Sequence, residues 1–102
     1  MLNQTELDKV FRALADASRR MIIRRLSRGP AQVTDLASVH PMSLPALLQH
    51  VQQLEASGLV STHKRGRARI CRLEDEPLRA AEEWIAGRRA IWTRERARQR
   101  AR

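Results

Sequence analysis

Residues 43–73 read SLPALLQHVQQLEASGLVSTHKRGRARICRL, and their hydrophobic period changes partway along. Leu44, Leu47, Leu48, Val51 and Leu54 recur at helical spacing, so the first half predicts an amphipathic helix. Ser43 can cap its start, Pro45 is tolerated in a first turn, and Gly58 supplies a stop. The second half alternates instead. Leu59–His63 and Ala68–Leu73 read as two short strands joined by the basic loop KRGR, with Gly66 free to take the positive φ of a hairpin turn. Cys71 and Leu73 should share the inward face and Arg72 the outward one. Opposite its apolar stripe the helix shows Pro45, Ala46, Gln49, His50, Gln52 and Gln53, with no positive charge, whereas the hairpin carries Lys64, Arg65, Arg67 and Arg69.

Working outward, Val33–Ser38 fits a short helix, with Val33, Leu36 and Ala37 inward. VHPM is a turn, because Pro41 disfavours helical geometry at His40. Near the N-terminus Thr5 can cap a helix carrying Leu7, Val10, Phe11 and Leu14. Asp16 can cap a second one bearing Met21, Ile22, Ile23 and Leu26, ended by Gly29-Pro30. After the hairpin Pro77 opens a fifth helix with Leu78, Ala81, Trp84, Ile85, Ile91 and Trp92. The end, TRERARQRAR, is polar, so residues 94–102 are expected to form a basic, frayed tail behind one domain spanning 1–93. The predicted fold class is mainly α with a small β-hairpin: a winged helix-turn-helix of five helices plus a two-stranded wing.

Composition narrows the function. With 102 residues the chain is one domain with a small core, and at 3% aromatics that core must be aliphatic. Leu7, Val10, Phe11 and Leu14 on the first helix, and Leu78, Trp84, Ile85, Ile91 and Trp92 on the last, exceed what such a core needs. A second copy would bury them, so these residues are the expected interface of a homodimer. Lys plus Arg number 20 against 11 Asp plus Glu, a formal charge of +9 that favours a polyanion. The single Cys71 excludes an internal disulfide and reads as a small core residue. No apolar run approaches the ~18 residues of a membrane span, and the first ten residues lack the features of a secretory signal. The cytoplasm is the default compartment.

A neutral helix beside a cationic hairpin suits double-stranded DNA. The major groove, ~12 Å wide, admits one α-helix, and a Gln amide can both donate to and accept from adenine's edge. Ser43, Pro45, Ala46, Gln49, His50 and Gln53 are the candidate DNA-reading residues. Lys64, Arg65, Arg67 and Arg69 are the candidate phosphate contacts, which add affinity without sequence information. The competing readings are a non-specific basic nucleic-acid-binding protein and a module that contacts only protein; the basic wing argues against the second. No Ser-His-Asp or phosphate-loop motif appears, so no enzymatic site is expected.

The stretches FRALADASRRMIIRRL, VTDLASVHPMSLPALLQHVQQLEASGLV and KRGRARICRLEDEPLRAAEEWI, with the later Trp92, resemble the ArsR-type winged helix repressors of bacteria. The likeness runs from about Leu7 to Trp92. It implies a homodimeric repressor that binds an inverted-repeat operator, with the first and last helices forming the dimer interface. Many members carry a small polar residue, often Ser, where this chain has Leu48, a side chain expected to pack inward here, or to touch a thymine methyl if it faces DNA. Many also sense metal or arsenic, through cysteine pairs on the helix before the turn or Asp/His/Glu sets on the last helix. This chain has AQVTDLA at the first place and no His on the fifth helix, and His40, His50 and His63 lack chelating spacing. No metal and no cofactor are therefore expected. A small-molecule or redox-responsive repressor of the same fold stays open, and no inducer is legible in the residues.

Overall fold

The computed structural model describes residues 2–39 and 41–101. His40, which the sequence reading puts in the turn, lies outside them. Eight elements follow in order: α1 (Gln4–Leu14), α2 (Ala17–Leu26), β1 (Ala31–Gln32), α3 (Val33–Val39), α4 (Leu44–Ala56), β2 (Val60–Arg65), β3 (Ala68–Leu73) and α5 (Asp75–Arg100). This is a winged helix-turn-helix.

The α1–α2 corner is built by side chains that satisfy helix ends. Asn3 caps α1, its Oδ1 accepting the Glu6 N–H at 2.8 Å, so Thr5, expected in that role, lies inside the helix. Asp16 caps α2 as expected, its Oδ2 accepting the Arg19 N–H at 3.0 Å. Arg19 and Arg20 then reach back: their guanidinium groups donate to the carbonyls of Ala13, Arg12 and Leu14 at 2.8–3.0 Å. ADASRR is thus a pair of mutual caps, which stabilise a corner by satisfying otherwise unpaired backbone groups.

The core lies between this corner, the α3–α4 pair and the sheet. Val10, Leu47, Leu54, Leu59 and Cys71 are completely buried, with Ile22, Leu26 and Leu36 beside them. The wing is wider than the expected two strands. β1 adds to β3 through Ala31↔Cys71 and Gln32↔Ile70, giving a three-stranded antiparallel sheet in the order β1-β3-β2. Two residues are too few to show a strand's period, and β1 was invisible for that reason.

α5 departs furthest from expectation. It starts at Asp75, two residues before Pro77, and runs without a break through Arg100, so residues 94–100 are helix and not a frayed tail. Pro77 and Ala81 are buried against the body, while Trp84, Ile85, Ile91 and Trp92 are 45–58% exposed. Twenty-six residues span about 39 Å at 1.5 Å each, and this helix accounts for much of the 64 Å long axis of the molecule.

Candidate nucleic-acid interface

α4 is held by one face. Leu47, Val51 and Leu54 are 0–3% exposed, and Ser43 caps the helix by accepting the Ala46 N–H at 3.3 Å. With that face fixed, the 100° step of a helix decides where every other side chain lies. Pro45, Gln49, Gln52 and Ala56 fall opposite the core and are exposed. Ser43 is exposed at the N-cap, and Ala46 is partly covered beside this face.

Four side chains at the edges of α4 behave in ways that period alone did not separate. Leu44 and Leu48, counted in the apolar stripe, are 48% and 38% exposed. They sit on an edge of the stripe that is only partly covered, so the inward packing expected for Leu48 is incomplete. His50 turns the other way: it is partly buried, with Nδ1 3.9 Å from Asp16 Oδ2 at the start of α2. Gln53, though exposed, borders a 230 Å³ cleft with Lys9 and Arg12 of α1. The exposed centre of α4 is therefore Pro45, Leu48, Gln49 and Gln52, with His50 and Gln53 on its α1–α2 flank.

The wing is fixed to α4 by polar contacts at its base. Thr62 donates its hydroxyl to Glu55 on the last turn of α4 at 2.9 Å. Ser57 Oγ donates to the Leu54 carbonyl at 2.7 Å and accepts the Leu59 N–H at 3.2 Å. Gly58 between them has φ +80°, and a Cβ there would lie 3.4 Å from Pro77 Cγ, so its helix-to-strand bend depends on glycine's conformational freedom. The hairpin turn is Gly66-Arg67. Gly66 has φ +65° and Arg67 does not take positive φ, the pattern of a type II′ turn.

Lys64, Arg65, Arg67 and Arg69 are all exposed, and no described acidic residue forms an ion pair with any of them. Lys64 lies directly opposite Arg69 in the β2–β3 register. Like charges so placed repel, so the fold gains nothing from this pair and an external anion would. The pair shares its sheet face with Thr62 and Cys71 lower down, which is the face turned toward the helices. Arg65 projects from the opposite face and Arg67 from the turn.

Two titratable groups are shifted. The hydrogen bond from the Arg19 N–H, opposed by partial burial and helped by the charges of Arg19 and His50, holds the Asp16 carboxyl below its ordinary range. Burial, reinforced by the charge of Glu55, pushes the Cys71 thiol up, so it stays a protonated core group at neutral pH. Among the described residues no three His, Cys, Asp or Glu side chains converge on a point that could hold a metal ion. No helix among them is long and apolar enough to cross a membrane.

The residues expected at a dimer interface are dispersed. Val10 is completely buried within its own protomer and has no surface to offer a partner, because it is the α1 residue that faces the core most directly. Leu7, Phe11, Leu14 and Leu78 are partly covered, and the Phe11 ring meets Trp84 edge-on at 5.8 Å. The remainder of the set lies on the exposed stretch of α5.

Known proteins share this arrangement. A helix-turn-helix domain family matches residues 14–63. The HTH-type transcriptional regulator Rv2034 of Mycobacterium tuberculosis is 40% identical over 73 residues, which are 72% of this chain and 68% of that protein. The arsenical resistance operon repressor of Staphylococcus xylosus is 32% identical over 77 residues, covering 76% of this chain and 74% of its own. The crystal structure of an ArsR family transcriptional regulator is 46% identical and superposes with a TM-score of 0.82, covering 86% of this chain and 97% of that one. The chain belongs to the ArsR-type winged helix-turn-helix family of transcriptional regulators, which bind DNA and are not enzymes.

Proposed function

We propose that this protein is a homodimeric repressor that binds an inverted-repeat operator in double-stranded DNA. One observation carries the proposal: a neutral, glutamine-bearing helix face and four unpaired cations sit on a single unit tied together by the Thr62–Glu55 bond. A helix without charge gains little from phosphates and can be selective for base edges, while a cationic wing supplies affinity to any duplex. Gln49 and Gln52, with Pro45, Ala46 and Leu48 around them, would meet bases, Leu48 through a thymine methyl. Ser43, His50 and Gln53 would border the groove and its phosphates. Lys64, Arg65, Arg67 and Arg69 would hold the backbone beside each half-site.

A two-fold dimer presents two such helices about one turn of DNA apart, ~34–36 Å. Leu7, Phe11, Leu14 and Leu78, with the exposed Trp84, Ile85, Ile91 and Trp92, supply the apolar surface for that dimer. Val10 supports it only from behind. The repressor would act in the cytoplasm without a family-type metal site, since α3 carries no Cys and α5 no His.

The test is a footprint on the DNA flanking its own gene, followed by competition between the protected site and random duplex at physiological salt. Two half-sites related by a dyad, bound at least about a thousandfold more tightly than random DNA, are expected. Equal affinity for both duplexes would make it a non-specific nucleic-acid-binding protein driven by its +9 charge. A single asymmetric site would exclude the symmetric dimer.

A further inference from the structure

Most of the chain's excess charge lies away from the wing. Residues 88–102 hold seven Arg against Glu95 alone, six of the nine net positive charges. Every cation in this stretch is Arg, whose planar fork binds phosphate through two hydrogen bonds where Lys offers a point charge. The stretch is helix through Arg100, and residues 88–100 are all exposed. Beyond Trp92 the helix carries no large apolar side chain, so it has no face to pack on protein. Its charges also oppose one another. Arg94 and Arg98, like Arg96 and Arg100, stand four residues apart, where like charges destabilise a helix. Glu95 offsets part of this, 3.0 Å from Arg98, while Arg89, Arg94 and Arg100 form no ion pair among the described residues.

At about 100° per residue these arginines fall on two flanks of α5. Arg89, Arg96 and Arg100 lie within about 40° of one another, and so do Arg94 and Arg98; the two flanks are about 160° apart. Midway between the flanks are Ala90, Thr93 and Ala97. This side is turned away from the body, because the buried Pro77 and Ala81 lie on the opposite side of the helix. A shallow concavity of about 150 Å³, lined by Thr93, Arg96, Ala97 and Arg100, opens on it. The Arg96 guanidinium is held on its flank, 4.6 Å from the centre of the Trp92 ring. Glu82 and Glu83 occupy the same outward side nearer the body, so the cationic face starts at Arg89.

We infer that the distal half of α5, from Arg89 to Arg100, lies in the major groove of a DNA duplex and holds phosphates on both of its walls, as a contact separate from α4 and the wing. The major groove, ~12 Å wide, admits one helix and sets a phosphate backbone on each side of it. Two cationic flanks with only Ala and Thr between them match that cross-section. The face spans about 17 Å, or about five base pairs. A flat anionic membrane would engage one flank and would need apolar side chains, which the helix lacks after Trp92. Duplex RNA has a major groove too deep and narrow for such a helix. Two Ala and one Thr offer little for distinguishing base edges, so the contact adds affinity without sequence preference. It needs neither an operator nor a dimer.

The experiment titrates the full chain against a random DNA duplex at a series of salt concentrations. Its variant combines Arg94→Gln, Arg96→Gln, Arg98→Gln and Arg100→Gln. Gln is a good helix former, and unchanged circular dichroism and sedimentation confirm the fold and assembly. The variant should bind at least about tenfold more weakly at about 50 mM salt, with a log–log salt slope lower by about 1.8 or more, the value for two phosphates. The ratio of operator to random affinity should stay within about threefold of the wild type, and a tenfold fall in it would overturn the phosphate-only contact. A benzophenone photo-crosslinker placed at Ala97 should capture DNA, while the same group at Gln99, on the opposite side of the helix, should not. An unchanged salt slope, or equal capture from the two positions, would overturn the inference and leave the wing as the source of non-specific affinity. A loss seen on phosphatidylserine vesicles or on duplex RNA, and absent on DNA, would overturn it in favour of that surface.

Discussion

Removing one wing charge should move stability and DNA affinity in opposite directions. Arg69 faces Lys64 across the β2–β3 ladder with no described acid paired to either. Arg69→Ala relieves that repulsion, so the fold should gain about 0.2–1 kcal/mol, read by urea or thermal unfolding. DNA binding should weaken by similar factors on operator and random duplex, because a phosphate contact carries no sequence information. A dimer loses two such contacts. At about 0.9 in log–log salt slope per phosphate, the slope should fall by about 1.8. Over a fourfold rise in salt, from about 50 to 200 mM, wild-type affinity should then drop about tenfold more than that of the variant. The assay is a fluorescence titration at four salt concentrations on both duplexes. A loss of affinity accompanied by a less stable fold would mean that Arg69 serves the hairpin itself. An unchanged slope would mean that it touches no phosphate.

Gln49→Ala and Gln52→Ala should each cost about 1–3 kcal/mol on the operator and almost nothing on random duplex, measured by the same titrations. Asp16→Ala should cost about 1 kcal/mol through loss of the α2 cap, while Asp16→Asn keeps the cap. Because the Asp16 carboxyl is held below its ordinary range, its charge stabilises the fold above about pH 4 and this contribution disappears as pH falls through the lowered value. The stability advantage of the wild type over Asp16→Asn, read by urea unfolding at a series of pH values, should therefore shrink as pH falls below about 4 and vanish below the lowered value. Zinc, cadmium or arsenite at stoichiometric concentration should leave operator affinity within about threefold, under about 0.7 kcal/mol of coupling; a tenfold release by any of them in a gel-shift titration would mean that ligands come together in a way the sequence conceals. Leu54→Ala, at a completely buried position, should cost about 2–5 kcal/mol in denaturant unfolding, and a cost under 1 kcal/mol would contradict the core described above.

Much of the fold was legible because period is a strong signal wherever a face is buried. The α3–α4 pair, the Asp16 and Ser43 caps, and the hairpin with glycine in its turn all stand where the residues put them. What escaped has separate physical causes. Leu44, Leu48 and His50 lie at the edges of the α4 stripe, and an edge residue is buried or exposed according to what packs beside it, which is tertiary information. Asn3 and Thr5 are both competent caps, and only the chain's entry into α1 chooses between them. The C-terminal stretch is polar, and polarity alone does not keep a chain from being helical. Arg, Ala, Gln and Glu are good helix formers, and a long helix already under way continues through them.

The proposed dimer would join the two candidate sites mechanically. The wing is tied to α4 at Glu55, and α5 leaves the wing two residues after β3, with Pro77 buried against the same corner where Gly58 bends the chain. In the proposed dimer, a shift in how two copies of α5 pair would therefore reach both wings and both α4 helices together, since only Glu74 separates β3 from α5. The separation of the two reading helices must match one turn of DNA, so a small change in the α5 register costs operator contacts on both half-sites at once, while each wing can still find phosphates on any duplex. A dimer built in this way would lose specificity before it loses DNA. A signal that acts on α5 need not resemble a metal site to release an operator; it needs only to favour a different pairing of the same two helices.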